Sequence, residues 1–157
     1  MKISSQAKKI LVVDDDIVIL GLLKFKLHRL GYEVITARNN KEFWDMAFEE
    51  KPDLIILDVW LKNKLGTDVY DQLLAFGFDK HVPVIFITAL LDTPRARYGS
   101  RDGRFALFSK PFNFEDLLGE IHRLLSSDRD GDEETAPLSR WVFDAAEQSF
   151  YDDQNES

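Results

Sequence analysis

Short apolar runs alternate with longer segments of mixed character between Ile10 and Leu125. None of the runs contains a polar residue, which is typical of strands that are buried on both faces of a parallel sheet. Polar residues and breakers such as Gly31, Pro52 and Gly77 separate them from their neighbours. The predicted strands are Ile10–Val13, Val34–Ile35, Leu54–Leu57, Val84–Ile87 and Phe105–Phe108.

The segments between the predicted strands carry apolar residues at helical spacing. The clearest is residues 117–125, where the leucines and Ile121 share one face and the charged residues lie elsewhere. Residues 89–100 give the weakest helix, with Pro94 allowed in a first turn and Gly99 near the end. Five strand–helix units joined by right-handed crossovers predict an α/β fold, a doubly wound five-stranded parallel sheet with helices on both faces.

The size of the chain limits how many such units it can hold. With 157 residues, 45% of them hydrophobic and 12 of them Phe, it has room for one domain of ordinary size plus a short appendage. The composition changes after Leu125, because residues 126–137 hold five acidic residues and no large apolar side chain. We therefore predict one domain over residues 1–126, followed at 127–157 by an acidic linker and a short tail that forms a hairpin or docks on the domain.

The charge and the cysteine content exclude several classes of function. A net charge of -8 repels a phosphate backbone, so no direct nucleic-acid partner is expected. The absence of cysteine removes disulfides, thiolate metal sites and Cys nucleophiles. No apolar stretch approaches a signal peptide or a membrane span in length. We expect a soluble, cytoplasmic protein.

Charged and hydroxyl side chains stand at the ends of four predicted strands. Aspartates at 14–16 follow the first strand, Asp58 follows the third, Thr88 the fourth, and Lys110 lies just past the fifth. Ligands of open parallel sheets bind at this edge. Several carboxylates there repel one another unless a cation compensates them. Mg²⁺ suits such a site best, because it takes one or two carboxylates, keeps several waters and can accept a phosphoryl oxygen. A Lys and a Thr beside the ion favour phosphoryl chemistry.

Taken in order, these residues resemble the receiver domain of two-component response regulators. The resemblance covers about residues 8–126 and implies a flavodoxin-like three-layer (βα)5 sandwich. The motifs that carry it are ILVVDDD at 10–16, DLIILD at 53–58, Gly66 eight residues after Asp58, PVIFITA at 83–89 and SKPF at 109–112.

The resemblance implies roles for individual residues. Asp58 would accept a phosphoryl group from a histidine kinase or a histidine phosphotransfer protein, and Thr88 and Lys110 would bind the phosphoryl oxygens. The protein would be a phosphoacceptor that catalyses only its own phosphorylation and dephosphorylation. The implied Mg²⁺ ligands are Asp14, Asp15, Asp58 and the backbone carbonyl of Trp60. Asp16 is interpreted as a helix N-cap and Asp53 as a strand-start residue.

The output of such a domain would be a change in protein contacts. The face built from the fourth helix, the fifth strand and the fifth helix is expected to meet a downstream protein or to form a homodimer. Leu107 stands at the switch position, where the family commonly has Tyr or Phe, so the resemblance does not extend to switching by an aromatic ring there. Lys62 replaces a usual Pro. Bulky Trp60 and Leu90 flank the expected water path, which predicts slow autodephosphorylation.

Three other interpretations stay open. A degenerate receiver would act as a constitutive docking module, and a truncated winged-helix regulator would explain the tail from Arg140. A haloacid-dehalogenase-like phosphatase would use Asp14 as nucleophile and Asp16 as acid/base, but it leaves Asp58 without a role. The aspartates of residues 128–134 fail the pattern of a calcium loop.

Overall fold

The chain folds around a mostly parallel sheet with helices on both faces. The computed structural model describes residues 6–61, 64–89, 100–102 and 104–126. The strands are β1 (Lys9–Val13), β2 (Glu33–Ala37), β3 (Leu54–Asp58), β4 (Trp60–Leu61), β5 (Lys64–Leu65), β6 (Val84–Thr88), β7 (Ser100–Asp102) and β8 (Phe105–Ser109). The helices are α1 (Ile17–Arg29), α2 (Asn40–Glu50), α3 (Gly66–Ala75) and α4 (Phe114–Ser126).

All five predicted strands are present and pair in parallel in the order β2-β1-β3-β6-β8. Three of them, β3, β6 and β8, are buried along their whole length. Successive side chains of a strand point to opposite faces, so Leu11 packs with α2 and α3 while Ile10 packs with α1 and α4. The apolar runs thus contribute side chains to two hydrophobic cores, one on each face of the sheet. The predicted doubly wound, three-layer architecture is confirmed.

Side-chain caps explain where the first two helices begin. The Asp16 carboxylate accepts a hydrogen bond from the Val18 amide at 2.9 Å, as its interpretation as an N-cap predicts. Asn39 accepts from the Glu42 amide at 2.9 Å in the same way. These contacts satisfy amides that a helix leaves unpaired in its first turn.

The sheet differs from the prediction at one edge. A sixth strand, β7, pairs antiparallel with β8. Ser100 therefore belongs to a strand, whereas the sequence predicted a weak helix as far as that residue. Ala89, the first residue of that predicted helix, is not helical either. Residues 90–99 lie outside the described part of the chain, as do residues 127–157 with their predicted linker and tail.

A small hairpin follows β3. Strands β4 and β5 pair antiparallel, with Trp60 opposite Leu65, and α3 begins at the next residue, Gly66. The sequence predicted only that the loop around Lys62 would have an unusual shape; Lys62 itself lies outside the described residues. Within the described ranges, no helix is both long and apolar enough to span a membrane.

Candidate functional site

Four strands bring the predicted site residues to one edge of the sheet. Asp14 follows β1, Asp58 ends β3, Thr88 ends β6, and Lys110 follows β8. These strands lie side by side, in that order, in the sheet. Because they run parallel, their carboxyl ends meet at the same edge. Asp14, Asp58 and Thr88 are all buried, at 0%, 4% and 2% exposure.

Lys110 joins two of the aspartates directly. Its ammonium donates to Oδ2 of Asp14 at 2.8 Å and to Oδ2 of Asp58 at 2.9 Å. The lysine side chain is only 17% exposed, so both ion pairs are shielded from water. Hydrogen bonds between charged groups in such a setting are stronger than neutral ones. One cation therefore holds together the ends of β1 and β3.

Backbone amides fix the other oxygen of each carboxylate. The Asp16 amide donates to Oδ1 of Asp14 at 2.8 Å, and the Trp60 amide donates to Oδ1 of Asp58 at 3.0 Å. In both cases the donor lies two residues beyond the acceptor, so the local turn orients the side chain. Each carboxylate thus presents one oxygen to the backbone and one to Lys110.

The electrostatics of the site reflect this crowding. Burial raises the pKa of Asp14 to about 6, and the charge of Asp58 acts in the same direction against the hydrogen bonds from Lys110 and Asp16. Burial alone would lower the pKa of Lys110, but its hydrogen bonds to Asp14 and Asp58 outweigh this, and the pKa is raised. The site therefore contains more negative charge than one lysine neutralises.

The acidic residues fit a metal ion. Asp14, Asp15 and Asp58 each offer a carboxylate oxygen, and the three oxygens lie within 4.8 Å of one another. An all-oxygen donor set of this kind suits a hard divalent cation, and Asp15 is only partly buried, which leaves room for water ligands. Asp16 is occupied as the cap of α1 and lies outside this group.

Two further residues shape the edge. The backbone carbonyl of Thr88 accepts the Lys110 amide at 2.7 Å, which ties the lysine to the end of β6. A Cβ added to Gly66 would lie 2.6 Å from the backbone oxygen of Asp58. Glycine is therefore required where α3 approaches the end of β3, which gives a physical reason for the Gly66 of the sequence motif.

The switch position that the sequence singled out, Leu107, lies inside the fold. It belongs to β8 together with Phe105 and Phe108, and all three side chains are buried, with at most 3% exposure. Trp60 is 46% exposed and stands beside the site, while Leu90 lies outside the described residues. Sequence reasoning missed the contribution of the Trp60 amide, because a backbone donor leaves no trace in residue type.

Comparison with known proteins agrees with this geometry. The family model described as response regulator receiver domain matches residues 10–122. The chain belongs to this receiver-domain family. The matched range begins in β1 and ends within α4, so it includes every element that contributes a residue to the acidic edge.

Curated relatives of this receiver domain include longer regulatory proteins. It is 38% identical over 122 residues to the alkaline phosphatase synthesis transcriptional regulatory protein PhoP of Bacillus subtilis, covering 75% of this chain and 48% of that protein. It is 36% identical over 118 residues to the probable transcriptional regulator ycf27 of Cyanophora paradoxa, with the same two coverages. The chain spans about half the length of these curated relatives.

Solved structures show the same fold. The chemotaxis protein CheY4 of Vibrio cholerae has 28% sequence identity and a TM-score of 0.62, covering 76% of this chain and 99% of that one. A putative response regulator from Chloroflexus aurantiacus has 26% identity and a TM-score of 0.64, covering 78% and 100%. The receiver domain therefore has the flavodoxin-like fold that the sequence resemblance implied.

Proposed function

We propose that Asp58 accepts a phosphoryl group from a histidine kinase or a histidine phosphotransfer protein, in a reaction that requires Mg²⁺. The observation that carries this proposal is the Lys110 ammonium, 2.9 Å from Oδ2 of Asp58 and 2.8 Å from Oδ2 of Asp14. A buried cation beside a strand-end carboxylate stabilises the charge of a transferring phosphoryl group. Membership of the receiver family supports the same role.

The proposed transfer forms one bond and breaks another. An Asp58 carboxylate oxygen attacks the phosphorus, the bond between phosphorus and the donor imidazole nitrogen breaks, and the nitrogen keeps the electron pair. Oδ1 is held by the Trp60 amide, so Oδ2 is the oxygen proposed to react. Lys110 would then pair with the phosphoryl oxygens, and the Thr88 hydroxyl would donate a hydrogen bond to one of them.

Asp14, Asp15 and Asp58 are the residues proposed to hold Mg²⁺, with the backbone carbonyl of Trp60 as a fourth protein ligand. A bound Mg²⁺ would neutralise the excess negative charge of this edge and polarise the phosphoryl group. The raised pKa of Asp14 supports a site that needs a second cation besides Lys110.

Phosphorylation would act as a switch by adding roughly one to two negative charges at Asp58. Thr88 and Lys110 stand at the ends of neighbouring strands, so a new contact to either one can bias the segments that follow them. The proposed output face comprises the helix that the sequence predicts before β8, together with β8 and the last helix, α4. This face would meet a downstream protein or a second copy. Leu107 and Phe105 are buried in β8. Their response to phosphorylation would therefore be a change of packing inside the fold and not the rotation of an aromatic ring into solvent.

The wider setting remains part of the proposal. Residues 1–126 would form the receiver domain and residues 127–157 an acidic linker and tail. The protein would act in the cytoplasm as a phosphoacceptor without another catalytic activity. Half-exposed Trp60 cannot orient an attacking water through its side chain in the way a carboxamide does, so we expect the phosphoryl group to last minutes or longer.

Intact-mass measurement after incubation with acetyl phosphate and Mg²⁺ tests the proposal. We expect one added phosphoryl group on the parent protein, none on Asp58→Asn and none in EDTA. Asp45→Asn, which removes a carboxylate paired with Lys41 on the surface of α2, is the matched control and should still be phosphorylated. Following the adduct over time gives its lifetime.

Two results would contradict the proposal in different ways. No adduct and no Mg²⁺ binding by the parent protein would favour a degenerate receiver that serves as a docking module. Turnover of phosphate esters by the Asp58 variant would favour the phosphatase interpretation, although the use of the Asp16 side chain as a helix cap already argues against its role as an acid or base.

A further inference from the structure

A cavity of about 290 Å³ opens at the edge of the sheet opposite the acidic site. Its lining comes from the connections that precede β3 and β6, together with the end of α2. Cavities of this size are large enough for a ring, because an apolar cavity of about 150 Å³ can hold benzene. The apolar lining residues are Ala47, Phe48, Pro52, Phe78 and Val82.

An exposed aromatic side chain stands beside this cavity. Phe76, just after α3, is 73% exposed. Its ring meets Trp44 edge-on at 5.3 Å, Trp44 lies 5.3 Å from Phe48, and Phe48 meets Phe78 edge-on at 5.9 Å. The ring contacts thus connect the exposed Phe76 with the wall of the cavity. An exposed aromatic ring and an aromatic-lined cavity therefore lie on the same surface.

We propose that two copies of this chain pair through this surface, with Phe76 of each copy inserted into the cavity of the other. A two-fold axis brings the same patch of both subunits together, and this requires a patch that complements itself. A phenylalanine next to an aromatic-lined cavity meets that requirement. Large aromatic side chains are also enriched among the residues that dominate binding at interfaces.

The charges around the cavity permit this pairing. The whole chain carries a net charge of -8, which opposes self-association on an average face. Around the cavity, however, the lining includes Lys51 and two aspartates, Asp53 and Asp79, and Lys80 follows Asp79. Two lysines and two aspartates leave this rim without net charge, so a lysine of one copy can meet an aspartate of the other.

This surface is separate from the proposed phosphorylation site and from the proposed output face. The cavity lies before the amino ends of β3 and β6, whereas Asp58 and Thr88 stand at their carboxyl ends. Pairing would leave the acidic edge accessible to a phosphodonor and would not depend on phosphorylation. Because a single side chain and a small rim make a limited interface, the dimer should be weak and concentration-dependent.

Sedimentation velocity of the full chain over a range of concentrations tests the pairing. We expect the parent protein and Asp58→Asn to show the same monomer–dimer equilibrium, and Phe76→Asp to raise the dissociation constant at least tenfold. Phe25→Asp is the matched control, because Phe25 is 60% exposed on α1, across the sheet from the cavity. Its dissociation constant should equal that of the parent, and unfolding midpoints verify that both variants fold.

A labelling experiment distinguishes this dimer from any other. The chain lacks cysteine, so Lys80→Cys carries one nitroxide label, and it is mixed with an unlabelled copy enriched in ¹⁵N. We expect the label to broaden the amide signals of Phe78 and Val82 in the second copy. Broadening confined to β8 and α4 would overturn the proposal in favour of a dimer through the output face.

A protein that stays monomeric at every concentration would also overturn the proposal. The cavity would then be left to another occupant, either the aromatic residues of segment 127–157 or a foreign protein. Equal dissociation constants for Phe76→Asp and the parent would overturn it as well, because the inserted ring would then contribute nothing to pairing.

Discussion

At the scale of single residues, Lys110 stabilises the buried carboxylates of the acidic edge. Among the described residues, it supplies a positive charge at the buried ends of β1 and β3, and both its ion pairs are shorter than 3 Å. Breaking a buried pair leaves an uncompensated charge, which is more costly than losing a pair in water. The acidic edge therefore depends on a lysine that follows the last strand.

Gly66 offers a test of how tightly this edge is packed. We expect Gly66→Ala to destabilise the domain by about 1–3 kcal/mol, since the new methyl group would meet the backbone oxygen of Asp58 at 2.6 Å. Gly119→Ala is the control, because Gly119 lies inside α4 with no atom within 4 Å of an added Cβ. It should stabilise by about 0.5–1 kcal/mol through helix propensity.

Urea unfolding of both glycine variants measures these differences. A stable Gly66→Ala that still accepts a phosphoryl group would show that the end of β3 shifts freely to make room. Equal destabilisation at both positions would mean that the close approach of α3 to Asp58 has no special effect.

At the scale of elements, the sequence predicted the structure best where burial alone determines which residue types a strand contains. Full burial on both faces makes β3 and β6 continuous apolar runs, so their positions could be read directly. The short strand β7 has the sequence Ser-Arg-Asp and forms only because β8 offers it a partner. The Lys110 contacts to Asp58 and Asp14 join residues 52 and 96 positions apart, and no local pattern reports such a distance.

Helix α2 provides a prediction at this scale, because two neighbouring asparagines differ in what they do. Asn39 caps the helix through the Glu42 amide, so Asn39→Ala should cost about 1 kcal/mol of unfolding free energy. Asn40 follows it, and its buried Oδ1 has no hydrogen-bond partner among the residues that the structure describes. Asn40→Ala should therefore cost less than Asn39→Ala. Chemical denaturation gives both values, and a reversed order would refute the assigned cap.

At the scale of the whole molecule, the sheet separates two edges with different chemistry. The carboxyl edge gathers the acidic groups and Lys110, and the amino edge holds the aromatic cavity. Strands β3 and β6 run from one to the other and are buried throughout. The two strands therefore connect the proposed phosphorylation site with the proposed pairing surface. No described residue belongs to both sites.

Tyr70, which is fully buried, contributes to the pH dependence of stability at alkaline pH. Burial raises the pKa of its hydroxyl above the ordinary value of 10.0, so the folded state favours the neutral form. This contribution to stability is complete below about pH 10 and is lost as the pH rises further, because only the unfolded chain ionises readily there. Between pH 9 and 11 the parent should lose stability faster than Tyr70→Phe.

At neutral pH the same variant should be at least as stable as the parent. The Tyr70 hydroxyl has no hydrogen-bond partner within the described ranges, and removing an unpaired buried hydroxyl gains on the order of 1 kcal/mol. Tyr32→Phe is the control, since Tyr32 is only partly buried and should change the alkaline profile less. Urea unfolding at several pH values measures both, and parallel profiles for all three proteins would contradict the prediction.

The bridge from Lys110 to Asp14 and Asp58 also has a consequence for protein synthesis. Both aspartates leave the ribosome well before the lysine, and the strand that positions it, β8, is the last of the sheet to be translated. A nascent chain therefore cannot complete this site until β8 and Lys110 have emerged. Competence to receive a phosphoryl group would consequently arise only when nearly the whole domain has been translated.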